Sequence, residues 1–150
     1  MKASQVCLNL IRDFEGLKLK PYKCPAGIPT IGIGTTRYEN GKPVTMGDPA
    51  ITASRAWELL SNRLISCESA VKRFVTVHLN QNEFDALVSF IYNVGEGNFA
   101  NSTLLRMLNA GNDREEVSAQ LLRWNKSNGV PLDGLTRRRQ AERSLFLKTC

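Results

Sequence analysis

A chain of 150 residues, 42% of them apolar and 23% charged, can bury roughly 70% of its unfolded surface, which excludes a disordered polypeptide and any need for a disulfide or metal staple. Twenty basic residues against fourteen acidic ones give +6 at pH 7. That balance suits an anionic partner, whether nucleic acid, an acidic membrane or an acidic wall polymer, without choosing among them. The longest near-unbroken apolar stretch, Ala86–Val94, holds Ser89, Tyr92 and Asn93 and is far short of the roughly 18 apolar residues of a membrane span. The opening MKASQVCLNLIRDFEG reaches Arg12, Asp13 and Glu15 too early for a signal peptide, so neither an export address nor a membrane anchor is expected. Cys7, Cys24, Cys67 and Cys150 are too few and too scattered for a disulfide scaffold. With no CxxC and a single histidine, His78, no metal site and no cofactor are expected, and in a cytoplasm the thiols stay reduced.

In chain order, Ser4–Phe14 places Cys7, Leu10, Ile11 and Phe14 at helical spacing, with Ser4 as N-cap, Gly16 as stop and Glu15 at the C-terminal end. From Leu17 to Val44 the chain is rich in Gly, Pro, Thr and Ile. Short antiparallel strands are expected at 17–23, 28–34 and 43–45, with a turn at Pro25-Ala-Gly27 and a type I′ hairpin at Asn40-Gly41. Thr52 caps a long helix to about Phe74 with Ala56, Leu59, Leu60 and Leu64 on one face. Asn80 and Glu83 form a capping box for a helix over 81–93 that buries Phe84, Leu87, Val88 and Ile91 and ends at Gly95 and Gly97. Shorter helices follow at 102–109 and 113–124, the latter stopped by Gly129. A last helix at 136–148 carries Ala141, Leu145 and Phe146 inward. The reading is a single α+β, mainly α domain over 1–150: a first helix (1–16), a small antiparallel β-lobe (17–50), and a linking helix with a larger helical lobe (51–150). A cleft between the lobes is the natural binding site.

Three side chains in the first thirty residues carry possible chemistry. Glu15, at the negative end of a helix dipole, fits a proton donor. Cys24 and Thr30 fall on the strand-turn-strand that follows, which can fold them back towards Glu15. A cysteine in such a turn is commonly a small buried hydrophobe; reactivity requires thiolate character.

The segment from Glu15 through Pro21-Tyr22-Lys23-Cys24 to Thr30-Ile-Gly-Ile-Gly34 resembles the core motif of phage-type lysozymes, glycoside hydrolase family 24. In that motif a Glu is followed nine residues on by Asp or Cys and six further on by Thr, the spacing of Glu15, Cys24 and Thr30 here. The resemblance continues in Leu79–Leu87, in Phe90-Ile-Tyr-Asn93-Val-Gly95, in Ser102-Thr103-Leu104, at Trp124 and in Gly134-Leu-Thr-Arg-Arg138-Arg-Gln-Ala-Glu142. It implies a lysozyme-like fold and a muramidase that cuts the β-1,4 bond between N-acetylmuramic acid and N-acetylglucosamine. Glu15 corresponds to the general acid, Cys24 stands where an Asp is usual, and Thr30 positions water or sugar. Arg138 or its neighbour Arg137 corresponds to the arginine that pairs with the catalytic glutamate. Tyr92, Asn93, Gly95 and Thr103 correspond to substrate-binding positions. The family's usual histidine is replaced by Thr35, which predicts a changed structural contact.

The resemblance also implies a partner and a route: peptidoglycan glycan strands, reached by a monomer from the host cytoplasm after a holin opens the way to the periplasmic wall. Glycosidases ordinarily use two carboxylates, and a neutral thiol stabilises positive charge poorly. Cys24 therefore needs a depressed pKa, or else Glu15 and Thr30 carry most of the catalysis. As a thiolate it acts either as base for a water, giving inversion, or as nucleophile, giving retention; Thr30 favours the first. A non-catalytic wall-binding protein on the same scaffold would bind without releasing reducing sugar. A nucleic-acid module would have to rest on Arg137-Arg138-Arg139 alone, with no recognition motif beside it, so no specific nucleic acid partner is expected.

Overall fold

The computed structural model describes residues 1–149, so Cys150 lies outside the described residues. Seven α-helices and two small antiparallel hairpins among those residues make the fold α+β and mainly helical. The chain forms two compact units, one of residues Leu8–Ile65 and one of Met1–Cys7 with the chain from Ser66 onward. Helices α1 (Gln5–Glu15) and α2 (Ala53–Phe74) each run from one unit into the other.

In the unit of Leu8–Ile65, α1 ends at Glu15 and strands β1 (Lys18–Lys23) and β2 (Pro29–Gly32) pair antiparallel, Tyr22 opposite Thr30 and Lys23 opposite Pro29. The register slips between Lys18 and Tyr22. That bulge accommodates Pro21, which has no N–H for a ladder. A sheet of two strands is marginal by itself, and here the inward residues Ile31 and Ile33 are fully buried along with Ile11, Ala56, Leu60 and Leu64. Gly32 is the point of closest approach: a Cβ there would lie 3.4 Å from Ala56 Cβ, and its φ of +67° is one that side-chain-bearing residues resist. Thr35 is buried and exchanges backbone hydrogen bonds with Ile31 at 2.9 and 3.0 Å.

The strand expected at 43–45 is reduced to a single bridge between Arg37 and Pro43. The Asn40-Gly41 turn is not of the I′ type, because only Gly41 has positive φ. Tyr38 N–H bonds Lys42 O at 3.0 Å and Gly41 N–H bonds Tyr38 O at 2.9 Å, the pattern of a three-residue connection ending in a left-handed glycine. The side chain of Asp48 gathers this loop, accepting from Tyr38 Oη at 2.7 Å and from Thr45 Oγ1 at 2.6 Å.

In the other unit, α3 (Gln81–Val94) is buried continuously from Glu83 to Ile91, the mark of a helix surrounded by others. Its capping box is formed as expected, Glu83 N–H donating to Asn80 Oδ1 at 2.8 Å and Asn80 N–H to Glu83 Oε1 at 2.9 Å. Gly95 closes α3, but Gly97 lies inside a further short helix, α4 (Glu96–Ala100). Then come α5 (Thr103–Asn109) and α6 (Arg114–Ala119). The helix expected over 113–124 changes after Ala119 to a 3₁₀ turn, Gln120–Arg123. The type I′ geometry appears later: Asn128 (φ 53°) and Gly129 (φ 79°) link strands β3 (Lys126–Ser127) and β4 (Val130–Pro131). The last helix, α7 (Asp133–Leu147), begins three residues earlier than expected.

Helix α7 buries Leu145 and Phe146 as its spacing predicts, yet also Arg138, Arg139 and Glu142. Glu142 is fully buried and holds Arg139 at 2.8 Å and Arg138 at 3.5 Å, while Ser89 Oγ of α3 donates to it at 2.6 Å. The Arg139 guanidinium lies over the Phe90 ring, 5.0 Å from its centroid, and Phe90 meets Phe99 and Trp124 edge-on.

Two outcomes follow for stability. Gly32→Ala should destabilise the protein by about 1–3 kcal/mol, read as a lower denaturant midpoint; an unchanged midpoint would mean that neither the backbone conformation nor the Ala56 contact is demanding. Glu142→Ala leaves two buried guanidinium groups without their counter-ion and should cost about 3–5 kcal/mol, visible in the same titration.

Candidate active site

Glu15 is the last residue of α1 and is half-buried. Gly16 leaves the helix with φ +80°, its N–H donating to the Arg12 carbonyl at 2.7 Å. The chain thus turns immediately behind the carboxyl and enters β1 two residues later.

Cys24 opens the tight turn between β1 and β2. Its N–H donates to the Ile28 carbonyl at 3.0 Å, and Gly27 N–H donates to the Cys24 carbonyl at 2.7 Å, with Gly27 at φ +80°. The side chain is half-buried. Its thiol is held below the ordinary cysteine range, chiefly by hydrogen bonding from the Ile28 backbone. Partial burial opposes this, and the Ala26 backbone, the Thr30 hydroxyl and the residue's own backbone add to it. Donors aimed at sulfur stabilise the thiolate over the thiol. Here they come from a turn whose shape is set by Gly27.

Thr30 is 2% exposed, and its Oγ1 donates to the Ile28 carbonyl at 2.8 Å. A hydroxyl has one proton and two lone pairs. The proton therefore serves either that carbonyl or the Cys24 sulfur, while the oxygen can still accept.

Tyr22 joins these groups. It stands opposite Thr30 in the ladder and two residues before Cys24, so all three share one face of the hairpin. Its phenol is pushed up, first by burial and then by the charges of Glu15 and Cys24, which places it near both. The Lys18 ammonium lies 5.5 Å from the centre of its ring. The Tyr22 position is part of the sequence motif, but its place opposite Thr30 is visible only once the bulge sets the register.

The remaining candidates fall in the other unit. Arg138 is 4% exposed, and its Nη2 donates to the Ser89 carbonyl at 3.4 Å beside its pairing with Glu142, whereas Arg137 is exposed. Tyr92 is half-buried on α3, and Asn93 Oδ1 accepts from Arg139 Nη2 at 2.7 Å. Gly95 ends α3 with φ 93°. Thr103 lines a recess of about 300 Å³ with Asn101, Ser102, Gln120, Arg123 and Trp124. His78 is exposed, between α2 and α3. Among the described residues no cluster of His, Cys, Asp or Glu has the makings of a metal site, and no helix is long and apolar enough to cross a membrane.

A helix-terminal carboxyl followed by a hairpin that presents a thiol and a hydroxyl, ahead of a mainly helical unit, defines a protein class that comparison with known proteins identifies. Residues 12–142 match the phage lysozyme family, and the chain belongs to that family as a lysozyme-type hydrolase of the endolysin group. It is 44% identical to the endolysin of Salmonella phage P22, over 98% of this chain and 99% of that one. It is 41% identical to the endolysin of Bacillus phage B103 over 98% of this chain, but spans only 54% of that longer relative. The solved endolysin of Escherichia coli O157:H7 phage FAHEc1 superposes with a TM-score of 0.92 at 41% identity, covering 99% of this chain and 94% of that one. The α+β, mainly helical fold expected from the sequence is the fold of these proteins.

The chemistry of Cys24 is open to direct measurement. Its alkylation by iodoacetamide should show a pH midpoint below that of an ordinary cysteine. Thr30→Val, which removes one donor, should move that midpoint upward. The buried Cys7, whose thiol is pushed up by burial and by Asp85 and Glu142, should stay unlabelled in the folded protein. A Cys24 midpoint at or above the ordinary value would contradict the turn's effect on the sulfur.

Proposed function

We propose that this chain hydrolyses the β-1,4 bond between N-acetylmuramic acid and N-acetylglucosamine in peptidoglycan, with Glu15 as general acid, Cys24 as general base and Thr30 positioning the attacking water. The observation that carries the reading is the common environment of Glu15, Tyr22 and Cys24, with Thr30 beside the sulfur. A protonated Glu15 transfers its proton to the glycosidic oxygen as the bond from that oxygen to the anomeric carbon breaks. Water, hydrogen-bonded to Thr30, adds to the anomeric carbon and gives its proton to the Cys24 thiolate. The acid ends deprotonated and the thiol protonated, and exchange with solvent restores both.

A thiolate fills the place of the second carboxylate that glycosidases ordinarily need, because the turn's hydrogen bonds favour the charged sulfur. We assign the supporting role to Arg138 and not to Arg137, since Arg138 is buried and held by Glu142 and the Ser89 carbonyl. Tyr92, Asn93, Gly95 and Thr103 are assigned to glycan binding. The support is the recess beside Thr103 and the fixed amide of Asn93. Passage from the host cytoplasm to the wall through a holin pore belongs to the same reading and rests on family membership.

Release of reducing ends from purified Gram-negative sacculi tests the assignment. Glu15→Gln should lose about 10²–10⁴-fold in rate, the contribution of a positioned proton donor. Cys24→Ala should be strongly impaired, and Cys24→Asp should stay active with its pH profile moved downward. Wild-type release by Glu15→Gln would remove the general acid, and wild-type release by Cys24→Ala would remove the base.

A further inference from the structure

We propose that Tyr22 is a substrate-contacting residue of this site: its hydroxyl donates a hydrogen bond to an acceptor oxygen of the N-acetylhexosamine ring at the scissile bond. The acetamido carbonyl is the strongest neutral acceptor that such a sugar carries. The inference rests on reading Glu15 and Cys24 as the reacting pair.

Tyr22 is the ladder partner of Thr30 and shares a hairpin face with Cys24, so a sugar that brings its anomeric carbon between Glu15 and Cys24 passes over the phenol. The ring is held from one side by the Lys18 ammonium, 5.5 Å from its centre. That contact engages the aromatic face and leaves the hydroxyl uncommitted. Among the described residues no group takes that hydroxyl's proton. Tyr38, the other half-buried tyrosine of the same unit, instead spends its hydroxyl on Asp48 at 2.7 Å. A partly desolvated donor with no protein acceptor is satisfied by water or by a ligand.

The electrostatics agree. Burial, then the negative charges of Glu15 and Cys24, push the phenol up, so it stays a neutral donor across the pH range in which Cys24 becomes thiolate. Among the described residues, the Lys18 ammonium is the cation found against the ring. The sulfur's ionisation has its causes in the turn and Thr30, and Tyr22 is not among them. Removing the hydroxyl leaves in place the turn and Thr30 donors that favour the thiolate.

Tyr22→Phe keeps the ring and the Lys18 contact and deletes only the donor. On soluble glycan strands, kcat/KM should fall about tenfold, the scale of one hydrogen bond made to the reacting sugar. The Cys24 alkylation midpoint and the unfolding temperature should both stay at their wild-type values. A wild-type kcat/KM in Tyr22→Phe overturns the proposal. So does a fall accompanied by a shifted Cys24 midpoint or a lowered unfolding temperature, because the tyrosine would then act through the fold. Glu15→Gln run in parallel separates the two levels: if it retains activity, the reading of the reacting pair fails whatever Tyr22 does, and if it is inactive, the Tyr22 result stands by itself.

Discussion

The proposed chemistry of this protein depends on the hydrogen bonds that the turn from Cys24 to Ile28 directs at one sulfur atom. A lysozyme needs a negative charge opposite its proton donor, and an unperturbed thiol is mostly neutral at pH 7. The turn changes that balance with backbone donors, the Ile28 backbone foremost, and with the Thr30 hydroxyl. The turn in turn requires Gly27 in a left-handed conformation and a β2 strand anchored by the buried Ile31 and by Gly32 against Ala56. A local backbone shape, held by packing, shifts this cysteine towards its charged form.

The other unit solves a different electrostatic problem. Glu142, Arg138 and Arg139 are all removed from solvent. That is tolerable because the carboxylate meets both guanidinium groups and the Ser89 hydroxyl, and because Arg139 spreads over the Phe90 ring. Through Arg139 the same cluster fixes the Asn93 side chain at the end of α3. Charges that would be expected on the surface thus hold a polar side chain at a helix terminus.

Where local rules dominate, the sequence is readable. The capping box of Asn80 and Glu83, the stop at Gly16, the turn at Gly27 and the inward faces of α2 and α3 all follow from spacing and turn chemistry. Two Asn-Gly pairs look alike on paper, yet only Asn128-Gly129 adopts positive φ at both positions; Asn40 keeps the ordinary sign because a three-residue connection closes that loop. Reading α7 by its apolar residues misses Arg138, Arg139 and Glu142, since a buried ion cluster leaves a polar pattern that resembles a solvated face. For the site, the intervals among Glu15, Cys24 and Thr30 were legible, and they point to the family. Tyr22 was not assigned a role, because its position opposite Thr30 follows from a bulge around Pro21 that no periodicity reveals.

The central claim is that the Cys24 thiolate activates a water and does not itself bond to the sugar. The configuration of the first-formed product tests this most directly. Proton NMR of a soluble peptidoglycan fragment during early turnover, before mutarotation, should show the α-anomer appearing at the newly freed reducing end of the β-linked substrate. Initial formation of the β-anomer, with a glycosyl thioether on Cys24 detected by mass spectrometry, would contradict the account and make the cysteine a nucleophile.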